Sequence, residues 1–307
     1  MSWVLWRQHR SQTLVFGVAL AVLAVLLGVS GDRMAHQYDT LRHCTDCAPF
    51  GLMDSFRLPR ILVNLSVAVP LVLGVFLGAT LMSREIEQST HVLAWTQSVS
   101  RRRWLVSKLA VVFGLTLVLA AAMSALVTWW SGPLNGLMDF RFDGLQFDTQ
   151  NLAPVAYSVF AVALGFAAGA VLRRTLPAVG VTIAGFLVVR LFVELSVRPH
   201  FAAVKHGTES MFAPTVRTAG AWMMGSDLVD GAGHVVHGPL RMPATCAAAV
   251  DRAAADRCMG SLGYHIRTTF HPASRYWPFQ WTEAAIFVGL ALVLVAVGYL
   301  AVTRRDA

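Results

Sequence analysis

Cys44 and Cys47 are the residues whose types and spacing most directly suggest chemistry. Two residues separate them, which is the spacing of a thiol–disulfide redox pair, and His36 and His43 precede them closely enough to act as metal ligands. A plain structural disulfide explains the same two cysteines without an electron acceptor or a metal. We therefore predict no metal site, and a membrane thiol–disulfide oxidoreductase using Cys44 and Cys47 stays open as an alternative function.

All four cysteines fall in segments that we expect to lie outside the cell, where disulfides are stable. Four cysteines allow three connectivities. We favour Cys44 with Cys47 and Cys246 with Cys258, because this pairing requires the least long-range contact.

The sequence lacks the motifs of common catalytic sites. A phosphate-binding P-loop needs Gly-Lys followed by Ser or Thr, but the two lysines, Lys108 and Lys205, follow Ser107 and Val204. No HExxH or GxSxG motif occurs either. We therefore predict that the chain is not an enzyme, contains no cofactor and cannot hydrolyse nucleotide through a P-loop.

Six long apolar runs dominate the 307 residues, of which 56% are hydrophobic and only 14% are charged. A soluble protein has about 25% charged residues, and about 18 apolar residues are enough to cross a bilayer. The predicted spans are residues 12–31, 61–83, 109–130, 154–172, 176–195 and 283–302. The fold class is therefore an all-α membrane protein with six transmembrane helices.

The net charge is +8. Where the positive residues lie along the chain decides whether this charge indicates nucleic-acid binding or membrane orientation. The segments on one side (1–11, 84–108, 173–174 and 303–307) hold 11 Lys or Arg against three acidic residues, whereas the two signs are nearly balanced on the other side. Excess positive charge marks the cytoplasmic face. We predict cytoplasmic termini in a bacterial plasma membrane, and no nucleic-acid partner.

The predicted spans divide the chain into three regions. Residues 1–195 form spans one to five, 196–282 an extracellular loop or small cap, and 283–307 span six with a cytoplasmic tail. We expect residues 1–11 to form an interfacial helix, with a signal peptide as the alternative. Residues 131–153 carry alternating phenylalanines that indicate a short strand or a surface-resting segment.

Three polar residues and one proline within the spans are candidates for a substrate path. Span two contains Asn64 and Pro70, and Pro70 predicts a kink because its ring removes a backbone hydrogen bond. Arg190 and Glu194 lie four residues apart on one face of span five. They could line a substrate exit, or they could form an internal ion pair directed toward the interface.

The cytoplasmic stretch from Ser83 to Lys108 joins spans two and three and is the most informative part of the sequence. Ser83 could cap a short amphipathic helix whose first turn carries Glu85 and Glu87, near the positive end of the helix dipole. A polar helix attached to two spans would transmit the movement of a docked partner into the membrane.

This stretch, REIEQSTHVLAWTQSVSRRRWLVSKL, resembles the first cytoplasmic loop of type 2 ATP-binding-cassette (ABC) export permeases. Those families carry an Arg-Glu-x-Glu-x-Gly/Ser-Thr core, then Ser/Thr-Arg-x-x-Trp and a basic residue. Segments WRQHR and LRRTLPA are similar to the actinobacterial-type branch of that group. The resemblance implies that the loop docks on a separate ATPase subunit, and the residues it assigns to this coupling are Arg84, Glu85, Glu87, Ser89, Thr90, Arg101 and Arg103. Ser89 stands where many relatives have Gly.

The resemblance further implies a permease subunit that works as a dimer in lipid. Two ATPase subunits would bind ATP and Mg²⁺, and the cargo would be a drug, lipid or secondary metabolite moving outward. A glycine pair in span two and another in span four suggest close-packing faces, with surface left for the second copy. A membrane sensor or scaffold that binds an ATPase without moving cargo is a further alternative.

Overall fold

A computed structural model describes residues 2–42, 56–87, 101–138, 140–209, 220–236, 243, 245–246 and 251–304. In this part of the chain, six helical segments are long and apolar enough to cross a membrane. Spans one to six comprise Leu14–Thr40, Arg57–Glu85, Arg102–Gly136, Ala153–Leu172, Thr175–His200 and Ala273–Arg304. Each overlaps one of the predicted apolar runs, so the mostly helical six-span architecture agrees with the sequence.

Most spans extend beyond the runs predicted from hydropathy, because the helices continue through their polar ends. The helices are α1 Ser2–Arg42, α2 Arg57–Leu65, α3 Val69–Leu73, α4 Thr80–Glu87, α5 Arg101–Met138, α6 Gly144–Thr149, α7 Ala153–Leu172, α8 Thr175–Phe192, α9 Arg252–Ser261 and α10 Tyr276–Arg304. The N-terminal segment is part of the continuous α1, so no break separates it from span one; its interfacial position stays a prediction.

Span two changes its helical geometry along its length. It has 3-10 geometry at Ser66–Ala68, which ends two residues before Pro70, and π geometry at Gly74–Ala79. Pro70 has no amide hydrogen to donate to the preceding turn, which favours an irregular helix at this point. The helical geometry of span two therefore changes around Pro70, and the kink itself stays a prediction.

Span four is the central helix: 72% of its most apolar window is buried, against 11–39% for the other five spans. It crosses span two where glycines face each other. A methyl carbon added at Gly165 would lie 2.5 Å from the amide nitrogen of Ala79, and one at Gly78 would lie 2.5 Å from the carbonyl oxygen of Val162. These glycine faces are thus used inside the chain, and dimerisation through the remaining surface stays a prediction.

The two ends of the helical bundle differ. At one end, which we call the turn end, Arg173 and Arg174 connect spans four and five, and Glu87 of α4 contacts Thr175 of α8. At the other end, which we call the sheet end, spans five and six are joined through a small three-stranded sheet.

The sheet consists of β1 Lys205–Glu209, β2 Trp222–Val229 and β3 His265–His271 in the order β1-β3-β2, and both pairings are antiparallel. The strands lie within residues 196–282, the predicted extracellular loop or small cap, whose fold the sequence left open. The expected strand or surface segment at 131–153 was also wrong: Phe142 belongs to a 3-10 turn, Phe147 lies on α6, and both are buried.

Candidate functional site

The turn end holds the residues that flank the predicted coupling stretch. Span two continues without a break into α4, which ends at Glu87. Ser83 lies inside this helix, where its hydroxyl donates to the carbonyl oxygen of Ala79 at 2.6 Å. The prediction that Ser83 caps a new helix was therefore wrong, because the apolar helix of span two extends four residues past it.

Glu85 connects span two to span three through a buried ion pair. Its carboxylate lies 2.5 Å from the Lys108 Nζ, and the Lys108 side chain is only 2% exposed. The same ammonium group donates to the carbonyl oxygen of Leu81 at 3.0 Å and lies over the ring of Trp104. A buried ammonium group is costly unless it is paired and hydrogen-bonded, so this contact fixes the relative position of the two spans.

Glu87 connects span two to span five. Its carboxylate accepts hydrogen bonds from the hydroxyl of Thr175 at 2.6 Å and from the Thr175 amide at 3.2 Å. Thr175 is the first residue of α8, and the preceding Arg174 makes no capping hydrogen bond with its side chain. Glu87 thus satisfies an amide at the positive end of another helix.

The hydrogen bonds from Thr175, first from its side chain and then from its backbone, hold the pKa of Glu87 below its ordinary value. A lowered pKa in the folded state means that this contact contributes stability above the ordinary carboxylate pKa. The contribution is lost as the pH falls through the lowered value. Glu87 is therefore ionised at neutral pH, and the contact is present there.

The two carboxylates thus connect span two to spans three and five directly before residues 88–100. Arg84 and Arg103 are exposed nearby. Ser89, Thr90 and the Arg101 side chain lie outside the described residues. The assignment of this set to ATPase coupling stays a prediction.

The candidate path residues of span two differ in their surroundings. Pro70 is buried. Asn64 carries a buried side-chain oxygen that accepts no hydrogen bond from any described residue. An amide oxygen without a hydrogen-bond donor is unfavourable inside a membrane. Asn64 is therefore the better candidate of the two for contacting a polar group of a substrate.

Arg190 does not pair with Glu194 in the described part of the chain. Its guanidinium group lies 2.5 Å from a carboxylate oxygen of Asp148, on α6, and over the ring of Tyr157. Glu194 is half-buried, and its carboxylate lies close to Gly144. The four-residue spacing therefore predicted the wrong partner: Arg190 pairs with Asp148 and not with Glu194.

Arg190 belongs to a buried ion cluster that sequence reasoning missed. Arg198 contacts both acidic members, at 2.5 Å from the other carboxylate oxygen of Asp148 and at 2.7 Å from Glu283. The Tyr157 hydroxyl lies 3.0 Å from Asp148 and 2.5 Å from Glu283. We call Asp148, Tyr157, Arg190, Arg198 and Glu283 the ion cluster. It joins α6 to spans four, five and six.

The sequence contained one signal for this cluster. An arginine within a membrane span requires a partner, and Asp148 and Glu283 both lie beside apolar runs. Hydropathy alone placed Asp148 and Arg198 in outside loops. Their burial depends on the tertiary packing of α6 against the bundle, which no local pattern encodes.

Cys246 and Cys258 form a disulfide in the structure, with an S–S distance of 1.94 Å. This is the pairing that the sequence analysis favoured for them. Cys44 and Cys47 lie outside the described residues. Among the described residues, no group of three or more His, Cys, Asp or Glu side chains is arranged to bind a metal ion.

Six apolar helices, paired charges within their spans and a small sheet at one end define a multi-pass protein of the bacterial plasma membrane. The chain belongs to the ABC-2 membrane transporter related family, whose model matches residues 17–198. The matched region includes most of spans one and five, spans two to four and the whole stretch between spans two and three. No curated protein and no solved structure matches the chain. Family membership indicates a transmembrane permease of an ABC transporter, which works with an ABC ATPase subunit.

Proposed function

We propose that the chain is the permease subunit of an ABC exporter for an amphiphilic or hydrophobic cargo, such as a drug, a lipid or a secondary metabolite. Two copies would associate in the membrane with two ATPase subunits, which would bind ATP and Mg²⁺. This chain would supply no ATPase site and no cofactor. The stretch 84–108 would couple the permease to the ATPase, and the similarity of the chain to an actinobacterial-type branch stays a prediction.

The observation that supports this proposal best is the pair of contacts at the root of the coupling stretch. Glu85 contacts Lys108 in span three, and Glu87 contacts Thr175 in span five. Spans two and three are also the two spans that the stretch joins. Movement of a partner docked on residues 88–100 would therefore act on three spans together.

The glycine crossing extends this connection to span four. Gly169 lies so close to span two that a methyl carbon added there would be 2.7 Å from the carbonyl oxygen of Ala79. Backbones in such close contact move as one body, because no side chain lies between them to rearrange. The predicted path residues Asn64, Pro70, Arg190 and Glu194 all lie on spans two and five, which this body includes.

The reading frames beside the gene are searched for an ABC ATPase, and the test combines the chain with that subunit. We expect the two to co-purify from membranes and the permease to stimulate ATP turnover. The double variant Glu85→Ala, Glu87→Ala should reduce association or stimulation several-fold. Because Glu85→Ala leaves Lys108 without its described carboxylate, Thr175→Val serves as a milder variant that removes only the side-chain hydrogen bond to Glu87.

The matched control removes two acidic residues at the sheet end, Glu209→Ala with Asp227→Ala. It should leave both association and stimulation unchanged. Unaltered pull-down and unaltered ATP turnover in the Glu85, Glu87 double variant would contradict the coupling role. ATP-driven uptake of cargo into inverted vesicles would distinguish an exporter from a scaffold that only binds the ATPase.

A further inference from the structure

A cavity of about 480 Å³ with several polar side chains in its wall lies at the sheet end, apart from the coupling stretch and the ion cluster. Span three contributes one face of its helix to the wall, and the remaining wall comes from the segment before span four, from the beginning of span six and from Gly220, two residues before β2. The lining residues are Thr128, Gly132, Asn135, Gly136, Arg141, Gln150, Asn151, Gly220, Ala273 and Tyr276. None of them is acidic.

The polar wall is held in place by its own hydrogen bonds. The side-chain amide of Asn135 donates to Gln150 at 2.9 Å, and that of Asn151 donates to the Tyr276 hydroxyl at 2.7 Å. Asn151 has a positive φ of 60°, and its backbone is fixed from both sides by hydroxyl groups of span three, Thr128 and Ser124. The wall is therefore preorganised, which lowers the entropic cost of binding a ligand.

Arg141 gives the cavity its charge. Its guanidinium group lies over the ring of Tyr276, 4.2 Å from the centroid, and 5.6 Å from the centroid of Trp277. Within the described part of the chain it forms no ion pair with an acidic residue. Stacking occupies the face of the guanidinium group, and Arg141 also forms a side-chain hydrogen bond with Tyr276. Its remaining edge N–H groups are available to an anion.

Tyr276 supplies a second donor. The residue is only 3% exposed, and its hydroxyl oxygen accepts hydrogen bonds from Asn151 and from Gln280 at 3.3 Å. No acceptor for the hydroxyl proton is found among the described residues. A buried hydroxyl proton without an acceptor is unfavourable, so a ligand oxygen in the cavity would satisfy it.

The cavity lies at the level of an aromatic belt. Trp129 and Trp277 directly follow the lining residues Thr128 and Tyr276 in sequence, and their side chains are 54% and 46% exposed. Exposed tryptophans at the ends of membrane helices mark the headgroup layer. A ligand at this depth would present a polar group to the cavity and an apolar part to the bilayer.

We propose that this cavity binds the phosphate group of an anionic membrane lipid whose head group also carries hydroxyls. Arg141 and Tyr276 donate to the phosphate oxygens, and the amides of Asn135, Gln150 and Asn151 suit the hydroxyls. The site does not depend on the ATPase or on transport. A soluble phosphate ester shares the same chemistry, and the experiment below separates the two sources.

The test is native mass spectrometry of the purified, delipidated chain titrated with phosphatidylglycerol. We expect one lipid to bind with at least about tenfold higher affinity than phosphatidylcholine, whose phosphate charge is neutralised by choline. Arg141→Gln should weaken the binding of phosphatidylglycerol about tenfold or more, since it removes charge-assisted hydrogen bonds. Arg57→Gln, which changes an exposed arginine at the beginning of span two, is the matched control and should bind as the wild type does.

A second variant, at a different position of the cavity wall, keeps the test decisive if Arg141→Gln fails to fold. A methyl carbon added at Gly132 meets no atom within 4 Å, so Gly132→Leu should fill the cavity without moving the backbone. Gly114→Leu changes a similarly uncrowded glycine of the same span outside the cavity and is its control. The site is supported if Arg141→Gln and Gly132→Leu weaken the binding of phosphatidylglycerol while the controls Arg57→Gln and Gly114→Leu do not. Wild-type binding by both, or equal binding of the two lipids, overturns it.

Glycerol 1-phosphate identifies the source of the phosphate. If it fails to displace phosphatidylglycerol at millimolar concentration, the site binds lipid as proposed. Displacement at a concentration equal to that of the lipid would show that the apolar chains contribute nothing, and it would overturn the assignment to a membrane lipid.

Discussion

Charged side chains buried within the spans of this protein lie opposite groups of the other sign. Lys108 faces Glu85 at the turn end, and Arg198 faces Asp148 and Glu283 at the sheet end. Removing one member of such a set leaves a charge that the low-dielectric surroundings cannot solvate. The two sets therefore act as fixed connections between helices, and each can be tested by a single substitution.

We predict that Arg198→Met destabilises the protein by about 3–5 kcal/mol. Arg198 is 1% exposed, and its loss leaves Asp148 and Glu283 with Arg190 as the one remaining cation of the ion cluster. Reversible unfolding of the purified protein in mixed micelles would measure the change.

The control for this prediction is a double variant. Glu283→Gln removes one of the two carboxylates, so Arg198→Met with Glu283→Gln should recover part of the lost stability. An Arg198→Met protein as stable as the wild type would show that the ion cluster contributes nothing. A double variant less stable than Arg198→Met alone would show that repulsion between the remaining carboxylates is not the cause.

At the scale of secondary-structure elements, the crossing of spans two and four organises the bundle. Gly74 and Gly78 on one helix face Gly165 and Gly169 on the other, and the π segment of span two, Gly74–Ala79, contains both of its contacting glycines. A π segment widens the helix locally and shifts the faces that follow it. The crossing therefore also sets the direction in which α4 leaves the bundle toward the coupling stretch.

We predict that Gly165→Ala destabilises the protein by about 1–3 kcal/mol through overpacking. The added methyl carbon would lie 2.5 Å from the Gly74 carbonyl oxygen, and both atoms belong to rigid helical backbones. Gly289→Ala on span six is the matched control, because a methyl carbon there meets nothing within 4 Å. Unfolding in mixed micelles should show a loss for the first variant and none for the second; equal stabilities would contradict close contact at the crossing.

The elements that the sequence predicts well are those with a strong local signal. Each apolar run is long enough to specify a span, and the glycine pairs indicated close-packing faces. The partner of each face could not be predicted, because glycine spacing is the same whether the neighbouring helix belongs to this chain or to a second copy.

The residues of the candidate site were predictable to different degrees. Glu85 and Glu87 were identified through the motif that surrounds them, but their contacts with Lys108 and Thr175 join distant parts of the sequence. The position of Ser83 was missed because a serine before two acidic residues has the pattern of a helix start. In the structure the apolar packing of span two continues past it and overrides that local signal.

At the scale of the whole molecule, the two ends of the bundle suit different compartments. The turn end carries Arg84, Arg103, Arg173 and Arg174, and positive charge of this kind favours the cytoplasmic face. The sheet end carries the Cys246–Cys258 disulfide, which an oxidising compartment stabilises. Both features favour the same orientation, and the proposed function requires it, because the ATPase and its ATP are cytoplasmic.

We predict that the turn end faces the cytoplasm, and two epitope tags test this. One tag is inserted after Gly233, which lies in an exposed turn beyond β2 and has a positive φ of 86°; the other follows Ala307. In intact spheroplasts an antibody should reach the first tag, and it should reach the second only after permeabilisation. The opposite result would place residues 88–100 outside the cell, where no ATP-driven partner could dock, and the proposed coupling function would have to be abandoned.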